Sequence, residues 1–291
     1  MELKGVYTAL VTPFSGDRVD YGKLRELVAM QIAGGVDGIV PVGTTGESPT
    51  LSFEEHMKVI SEVIDAAGGK CRIMAGTGAN CTAEAIELTR HAKEAGADCT
   101  LQVTPYYNKP TQEGLYRHFS TIADQCELPV VLYNVPGRTG TMIAAETIAK
   151  LSRNANVLGV KEAAGSVERV SEIASLCDIA IMCGDDSLTV PMMSVGAKGV
   201  ISVASNILPA ELKAMVDACE KGDYAKALIL HKKYFRLFKD LFLESNPIPV
   251  KAAMAMLGMI REEYRLPLCE MQSANRDKLK MTLSNALGKE L

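Results

Sequence analysis

The sequence predicts an α/β fold, a closed (β/α)8 TIM barrel with a C-terminal helical extension. Two observations predict this class. Short runs rich in β-branched residues alternate with longer amphipathic runs, and eight such units fit into about the first two thirds of the 291-residue chain. A doubly wound sheet is the competing fold, but it usually has fewer strands and a Gly-rich nucleotide loop. We expect the barrel domain to cover residues 1–207 and the helical region residues 208–291.

Eight predicted strands make up the barrel. Each is short and apolar, as expected for a parallel sheet that is covered on both faces. They recur about every 20 to 35 residues, which leaves room for one crossover helix between successive strands. The predicted strands are Val6–Val11, Gly38–Val42, Arg72–Ala75, Cys99–Val103, Val130–Tyr133, Val157–Lys161, Ile179–Cys183 and Gly199–Val203.

The crossover helices are predicted from the residues at their ends. Gly35, Gly96 and Gly196 each follow a helical run and precede a strand, where glycine ends a helix in the left-handed conformation without a Cβ clash. Ser52 and Glu55 form a predicted capping box at one helix start. Further N-caps are predicted at Asp20, Thr82 and Thr111.

The strand pattern stops at about Pro209. From there to the C-terminus the apolar residues follow a helical period, and no β-branched run separates one helix from the next. These helices make up the predicted extension of the barrel. They are Glu211–Lys221, Tyr224–Leu243, Pro249–Met259 and Gln272–Leu287.

Composition and charge argue against several classes of protein. Hydrophobic residues make up 47% and charged residues 23%, the composition of an ordinary folded protein. The formal charge is -4 and no basic stripe occurs, so we expect no nucleic-acid partner. The longest uncharged stretches reach about 12 residues, short of the roughly 18 that suggest a spanning helix. The N-terminus lacks a signal-peptide pattern. We therefore expect no membrane association and a cytoplasmic location.

The cysteines and histidines predict neither a disulfide scaffold nor a metal site. The 8 cysteines are scattered without a CxxC pair, and the 4 histidines form no HxH or HExxH spacing. We interpret the cysteines as small buried apolar residues. We expect the protein to use no metal and no cofactor.

Polar side chains follow the predicted strands at the end where barrel enzymes carry their active sites. Strand two leads into the loop Gly43–Ser48, whose hydroxyls and backbone amides suit a small anion such as a carboxylate. Strand four is followed by Tyr106 and Tyr107, and strand five ends on Tyr133 before a loop with Arg138. Each feature also has a plain structural interpretation, since Gly and Thr loops are often simple turns and tyrosine at a strand end is usually packing.

Lys161 terminates the apolar strand six. Lysine is rarely buried unless it is paired or functional, so an amine at this position needs a chemical reason. A neutral amine can attack a carbonyl substrate, and an apolar barrel mouth disfavours the charged ammonium form. The resulting iminium is an electron sink, which allows loss of an α proton and addition of the enamine to an aldehyde. The alternative is a lysine that snorkels out of the strand end beside Glu162.

Three segments together resemble the signature sequences of the dihydrodipicolinate synthase family, within the pyruvate-dependent class I aldolase superfamily. The resemblance runs from Lys4 to about Leu268 and includes Asn246–Lys251. It implies a homotetrameric lyase that condenses pyruvate with L-aspartate-4-semialdehyde through a lysine Schiff base, in diaminopimelate and lysine biosynthesis. The three segments are Gly43–Glu47, Tyr133–Thr139 and Gly159–Glu162.

The resemblance also implies roles for individual residues. Lys161 resembles the Schiff-base nucleophile, and Tyr133 resembles the acid/base group. Thr44 resembles the hydroxyl that links Tyr133 to Tyr107, a tyrosine that family tetramers insert from a neighbouring subunit. The implied substrate-binding residues are Thr45 for the pyruvate carboxylate, Arg138, Gly184 and Val203, the last of which is often isoleucine in the family.

Arg138 separates two sibling activities of the superfamily. A planar guanidinium can bind the carboxylate of aspartate semialdehyde through two parallel hydrogen bonds. N-acetylneuraminate lyases resemble the chain in the lysine and the tyrosine but normally lack this arginine, which is otherwise interpreted as a surface charge on a turn. Two alternatives stay open: another pyruvate-dependent aldolase or lyase, and a non-catalytic ligand-binding barrel.

The resemblance further implies feedback inhibition by L-lysine. Glu84 can pair with the ammonium group of this effector, and Tyr106 can pack on its apolar stem. Lysine-sensitive relatives often carry alanine and histidine where the chain has Pro49 and Phe53, so the strength of inhibition is left open. His56 and Glu84 lie on predicted helices, and the alternative is that their side chains are only exposed to solvent and bind no effector. The residues that match the inhibitor site between subunits are Ser48, His56, Asn80, Glu84 and Tyr106.

Overall fold

Eight parallel strands close into a barrel in the computed structural model, which describes residues 2–291. Numbered along the chain, each strand pairs with its sequence neighbours, and β1 pairs with both β2 and β8. The predicted barrel is confirmed, and each predicted strand overlaps an observed one. Strands β1 to β8 are Gly5–Ala9, Gly38–Val40, Arg72–Gly76, Cys99–Val103, Val130–Asn134, Val157–Glu162, Ala180–Cys183 and Gly199–Ser202.

Twelve α-helices accompany the barrel strands among residues 2–291. An antiparallel pair of two-residue strands, Phe14–Ser15 and Arg18–Val19, follows β1 and is too short for the sequence pattern to predict. The helices α1 to α12 are Tyr21–Ala33, Phe53–Ala67, Thr82–Ala95, Gln112–Cys126, Pro136–Thr139, Ala145–Leu151, Val167–Leu176, Thr189–Ser194, Pro209–Glu220, Tyr224–Asp240, Ile248–Met256 and Ser273–Leu287.

Two hydrophobic cores hold the fold together, one inside the barrel and one between the strands and the helices. Side chains alternate along each strand, so Leu132 packs outward under the helices while Tyr133 points into the barrel. Each fully buried large apolar side chain contributes about 1.5–3 kcal/mol relative to exposure. The interior core includes Tyr7, Met74, Val131, Met182 and Ile201.

The predicted helix ends are confirmed at the glycine joints and at the capping box. Gly35, Gly96 and Gly196 have φ values of +76°, +98° and +117°, the left-handed region in which a Cβ is strained. At the start of α2, the Ser52 side chain accepts from the Glu55 backbone and the Glu55 carboxylate accepts from the Ser52 backbone. These local signals therefore locate the helices correctly.

Two of the three single N-caps are confirmed and one is wrong. Asp20 and Thr111 accept from backbone N–H groups three residues further on. The N-cap of α3 is Cys81, and Thr82 is the first helical residue. The Thr82 hydroxyl is engaged elsewhere, because it lies 2.9 Å from Nδ1 of His118 on α4.

The C-terminal helices pack against the barrel and against each other. Helix α9 contacts β1, while α10 contacts both α9 and α12. The predictions for α10 and α11 extend about one turn too far, because apolar residues such as Leu241 and Leu257 continue the pattern beyond the last helical turn. The division at residues 207 and 208 stays a prediction.

None of the helices within residues 2–291 combines the length and the apolar composition that crossing a bilayer requires. All eight cysteines have free thiols. Four of them are buried as predicted, but Cys81 and Cys269 are exposed, and Cys71 and Cys177 are half-buried. The expectation that all of the cysteines are buried is therefore wrong, because a loop and a helix cap place two of them at the surface.

Candidate active site

Lys161 and Tyr133 lie side by side inside the barrel. They are paired residues on the adjacent strands β6 and β5, so both side chains point inward at the same level. Nζ of Lys161 lies 4.4 Å from the centroid of the Tyr133 ring. Each residue is 6% exposed. The alternative of a lysine that snorkels to the surface is therefore wrong.

Glu162 points to the opposite face of β6 and is fully buried there. Nδ2 of Asn134 donates to both of its carboxylate oxygens, at 3.0 and 2.9 Å, and the Ala164 backbone donates at 2.9 Å. Burial raises the pKa of Glu162, while these donors act in the opposite direction. Glu162 thus links β5 to β6 behind the amine of Lys161 and is not its partner.

Gly184 leaves room for the lysine side chain. A Cβ at this position would lie 3.1 Å from Cε of Lys161 and 2.5 Å from Cβ of Ala163. Its backbone N–H donates to the Glu162 carbonyl at 2.8 Å, which fixes the end of β7 against β6. A side chain at position 184 would therefore clash with Ala163 and crowd the Lys161 side chain.

The Gly43–Glu47 loop is held to the C-terminal segment by two side-chain contacts. Oγ1 of the buried Thr45 accepts from Nδ2 of Asn246 at 2.9 Å. Glu47 has a left-handed backbone with φ +55° and forms an ion pair with Lys251 of α11, in which both side chains are fully buried. Burial lowers the pKa of Lys251, and the Glu47 carboxylate acts in the opposite direction. The loop geometry therefore depends on a helix about 200 residues away.

Arg138 lies at the rim of the same cavity, on the short helix α5 that follows β5. Its Nη2 donates to the Asn246 carbonyl at 3.2 Å, which orients the guanidinium and leaves other N–H groups for a ligand. The side chain is exposed at its outer side and lines the cavity at its inner side. A carboxylate bound here shares the cavity with the amine of Lys161.

One cavity at the carboxyl end of the strands brings most of the predicted site residues together. It contains an amine, a phenol, hydroxyls and a guanidinium, which are the groups for nucleophilic addition to a carbonyl and for binding carboxylates. Tyr107 is not among them: it is 90% exposed on the loop after β4, with φ +73°. The predicted residues that line the cavity are Thr44, Thr45, Tyr133, Arg138, Lys161, Gly184 and Val203.

Of the lining residues that were not predicted as site residues, three carry polar or aromatic side chains. Asp185 follows Gly184 directly, and a carboxylate after a predicted strand was a signal that could have identified it. Phe242 and Asn246 come from the C-terminal segment, and only the fold brings them to the cavity. The segment Asn246–Lys251, which the family resemblance includes, was a signal that could have identified Asn246, whereas no local pattern marks Phe242.

A second crevice adjoins the cavity and contains four of the five residues predicted for the lysine site. Ser48, His56, Glu84 and Tyr106 line it together with Pro49 and Phe53, and Ser48 and Tyr106 also face the space above Tyr133. The fifth residue, Asn80, donates from Nδ2 to the Tyr106 carbonyl at 3.3 Å.

His56 is held firmly in the wall of this crevice. It is 6% exposed, its Nε2 lies 2.7 Å from the Gly76 carbonyl, and its Nδ1 lies 3.5 Å from the Ser48 hydroxyl. Burial lowers the pKa of His56. The alternative that the His56 side chain is only exposed to solvent is therefore wrong.

The chain matches the model of the Dihydrodipicolinate synthetase family over residues 2–286. It is 53% identical over 278 residues to the 4-hydroxy-tetrahydrodipicolinate synthase of Geobacter metallireducens, an alignment that covers 95% of this chain and 96% of that protein. The resemblance inferred from the three signature segments is confirmed.

Two solved structures extend the comparison to the whole fold. The chloride-inhibited dihydrodipicolinate synthase of Acinetobacter baumannii complexed with pyruvate is 46% identical, with a TM-score of 0.95 over 97% of this chain and 98% of that chain. The synthase of Cyanidioschyzon merolae with lysine bound is 43% identical, with a TM-score of 0.94 over 97% of this chain and 98% of that chain. Both share the fold described above.

Proposed function

The chain belongs to the dihydrodipicolinate synthetase family, Schiff-base-forming lyases of lysine biosynthesis, and on that premise we propose that it condenses pyruvate with L-aspartate-4-semialdehyde. One observation carries the proposal. The buried amine of Lys161 lies beside Tyr133 in a cavity whose rim carries Arg138. The pyruvate complex of the Acinetobacter baumannii relative supports the first substrate.

The proposed reaction starts at Lys161. Its neutral amine attacks the ketone carbon of pyruvate, and the carbinolamine loses water to give an iminium. Tyr133 is the proposed acid/base group for these proton transfers. Loss of a methyl proton then gives an enamine, whose carbon adds to the aldehyde and forms the new C–C bond. Hydrolysis of the second iminium releases the product and regenerates the amine.

The remaining site residues are proposed to bind the substrate carboxylates and to relay protons. The Thr45 hydroxyl is the proposed group for the pyruvate carboxylate, and Arg138 for the carboxylate of the aldehyde substrate. Thr44 is the proposed link from Tyr133 to Tyr107. Because Tyr107 is exposed and outside the cavity of its own subunit, we propose that it serves a neighbouring subunit of a homotetramer.

L-lysine is the proposed feedback inhibitor, bound in the crevice beside the cavity. L-lysine carries a carboxylate, two ammonium groups and an apolar stem. The crevice offers the Glu84 carboxylate for an ammonium group, together with His56 and Tyr106. The lysine-bound Cyanidioschyzon merolae relative supports this assignment. Pro49 and Phe53 line the same crevice where lysine-sensitive relatives often carry alanine and histidine, so the strength of inhibition is the quantity for a lysine titration to measure.

A coupled assay tests the function directly. Purified protein is given pyruvate with aspartate semialdehyde, or pyruvate with N-acetylmannosamine, and product formation is followed with and without millimolar lysine. Product is expected with pyruvate and aspartate semialdehyde but not with pyruvate and N-acetylmannosamine. Millimolar lysine is expected to lower the rate of the first reaction. Turnover of the sugar substrate alone would contradict the synthase assignment, and an unchanged rate with lysine would remove the regulatory part.

A further inference from the structure

A buried polar pair joins β5 and β6 directly behind the reacting groups. Tyr133 pairs with Lys161 on these strands, and the next pair along them is Asn134 with Glu162. Because side chains alternate along a strand, this second pair points away from the barrel interior. Both of its side chains are fully buried. Nδ2 of Asn134 donates to the two carboxylate oxygens of Glu162, at 3.0 and 2.9 Å. This Asn134–Glu162 link lies one residue along from the pair that reacts.

The segment before α6 and the first turn of α7 hold the link in place. The backbone N–H of Ile143 donates to Oδ1 of Asn134 at 3.0 Å, and the Ile143 carbonyl accepts from Nη2 of Arg169 at 2.9 Å. Nε of Arg169 lies 3.8 Å from Oε2 of Glu162 and places a positive charge beside the carboxylate. Both ends of the Asn134 amide are therefore engaged, and its rotation would break contacts on two sides.

The pairing of β5 with β6 contains an irregularity ahead of the link. The register shifts by one residue between Val130 and Val131. Without this shift, Tyr133 would lie opposite Val160 in place of Lys161. A slip of one residue turns the side chains of a strand to the opposite face, so it would take the amine out of the barrel interior. Only the observed register brings the amine beside the phenol.

Stability alone does not explain a buried carboxylate at this position. Removing charged groups from water is costly, and replacing a buried ion pair by apolar residues is often neutral or stabilising. Polar partners do fix a register, because they match at one position only. Glu162 is the single acidic residue of β6, so the Asn134 amide finds a carboxylate in one alignment of the two strands. Apolar side chains would pack in either alignment.

We propose that the Asn134–Glu162 link sets the register of β5 and β6 and thereby positions Tyr133 beside the amine of Lys161 for imine formation. Asn134 and Glu162 are positioning residues, since they face away from the cavity and act through the adjacent residues of their own strands. The inference rests on the proposed function, because it concerns the step in which the amine attacks pyruvate.

Three variants of the full chain separate the link from the charge. Asn134→Ala breaks the link by removing the donor. Glu162→Gln removes the charge but keeps an oxygen that can accept from Asn134 and from the Ala164 backbone. The double variant Asn134→Asp/Glu162→Gln restores a hydrogen bond in the reverse direction, from the new amide at position 162 to the new carboxylate at position 134. It also keeps the net charge of the wild type.

The readout is the rate at which pyruvate forms an adduct that borohydride reduces, followed by mass spectrometry in quenched time courses. The maximal rate is expected to fall at least about tenfold in Asn134→Ala, because a displacement of about 1 Å between reacting groups costs up to about a hundredfold. The double variant and Glu162→Gln are expected to stay within about threefold of the wild type. The pH midpoint of the rate is expected to be the same in Glu162→Gln and the wild type.

Thr8→Val is the control for loss of a buried polar contact elsewhere in the barrel. Oγ1 of Thr8 on β1 donates to Oε1 of Gln31 on α1 at 2.6 Å, and both side chains are fully buried. Denaturant unfolding measures the stability of every variant. Thr8→Val is expected to lose stability and to keep the wild-type adduct rate. An equal fall in its rate would reduce the effect of Asn134→Ala to general destabilisation and would overturn the proposal.

Three further results would overturn it. One is an adduct rate in Asn134→Ala within about threefold of the wild type. Another is a folded double variant that is as slow as Asn134→Ala. The third is a shifted pH midpoint in Glu162→Gln, which would make the carboxylate an electrostatic influence on the Lys161 amine. If Asn134→Ala does not fold, Asn134→Ser takes its place under the same criteria, since a hydroxyl is too short to reach both carboxylate oxygens.

Failure of the proposed function looks different. If wild-type protein forms no reducible adduct with pyruvate, the function itself is wrong. If the wild type and Asn134→Ala form the adduct equally fast, the function stands and only the role of the Asn134–Glu162 link is wrong.

Discussion

At the residue scale, the proposed function assigns to Arg138 the carboxylate of the aldehyde substrate, the contact expected to separate the synthase from its siblings. Arg138→Lys keeps the charge but loses the planar pair of donors, so kcat/KM for aspartate semialdehyde is expected to fall about tenfold to a hundredfold. Initial rates at varied aldehyde concentration measure it, with exposed Arg117→Lys as the control. An equal rise in the KM for pyruvate would contradict a role confined to the second substrate.

His118 makes the stability of the protein depend on pH. Burial lowers its pKa to about 4, from an ordinary value of 6.5. Below pH 6.5 the unfolded chain binds a proton that the folded chain does not bind until about pH 4, so the free energy of unfolding falls as the pH falls through this range. His118→Asn keeps an acceptor near Thr82 and removes this titration.

The measurement for His118 is urea unfolding from pH 7 to pH 4.5. The His118→Asn variant is expected to lose less stability over this range than the wild type. Parallel pH curves for the two proteins would show that the histidine titrates in the same way in the folded and unfolded states, which would contradict its buried neutral form.

Single residues differ in how far the sequence reveals them. The positions of Lys161 and Tyr133 could be predicted, because each lies at the end of a predicted apolar strand and a barrel places strand ends together. The hydrogen bond between Asn246 and Thr45 could not be predicted, because it joins residues 201 positions apart in the chain. The predicted cap at Thr82 is wrong because the Thr82 hydroxyl contacts a histidine on another helix, which no local pattern shows.

At the element scale, the loop after β2 and helix α11 behave as one unit. The buried pair Glu47–Lys251 joins them, and the Lys251 amine also lies 4.2 Å from the centroid of the Phe14 ring. Arg265 adds a backbone donor to Glu47 at 3.3 Å and binds Glu55 through two nitrogens, at 2.6 and 2.7 Å. The C-terminal extension therefore positions the loop that carries Thr44 and Thr45.

Breaking this pair leaves one buried charge uncompensated. Lys251→Met is expected to lower the free energy of unfolding by about 3–5 kcal/mol, whereas Lys93→Met, at the exposed pair with Glu127, is expected to cost less than about 1 kcal/mol. Denaturant unfolding of both variants measures the difference. Similar small losses in the two variants would contradict a buried, compensated ion pair.

The double variant Glu47→Gln/Lys251→Met separates charge from position. Because it removes both charges, it is expected to recover much of the stability lost in Lys251→Met. If the ion pair also positions the loop that carries Thr45, the KM for pyruvate is expected to rise in Lys251→Met and to remain above the wild-type value in the double variant. Full recovery of that KM would limit the pair to stability alone.

Strands and helices were largely predictable as elements. The β-branched runs mark the strands because strands of a parallel sheet are buried on both faces, and Gly96 marks the end of a helix because a Cβ is strained at φ +98°. The C-terminal ends of α10 and α11 were not predictable, because the apolar pattern reports burial and continues beyond the last helical residue.

At the scale of the whole molecule, the proposed assembly gives Tyr107 a partner. Tyr107 is 90% exposed with φ +73°, a costly conformation for an isolated chain, and the proposed insertion into a neighbouring active site would account for it. Tyr107→Phe is expected to lower kcat at least tenfold and to leave pyruvate trapping intact. Sedimentation velocity is expected to show a tetramer.

Mixing two impaired variants tests the sharing between subunits. Tyr107→Phe is expected to keep at most about a tenth of the wild-type kcat and Lys161→Ala to have no activity, but a hybrid pair places an intact Lys161 beside an intact Tyr107 in one of its two sites. Random mixing after unfolding and refolding is expected to recover about one quarter of the wild-type activity. No recovery in hybrids of confirmed composition would contradict a tyrosine supplied by the neighbour.

The barrel itself was predictable from a single sequence, but the assembly was not. Eight strand-helix units define a closed barrel because each unit needs both neighbours to bury its strand. An interface has no such periodic signal, and Tyr107 differs from a packing tyrosine only once its exposure is known. The proposal of a tetramer therefore rests on the family resemblance alone.

The most direct test of the account is mass spectrometry after borohydride reduction with pyruvate. A single pyruvyl adduct is expected on the peptide that contains Lys161, and none is expected in Lys161→Ala. An adduct on another lysine, or no adduct on folded protein, would contradict it.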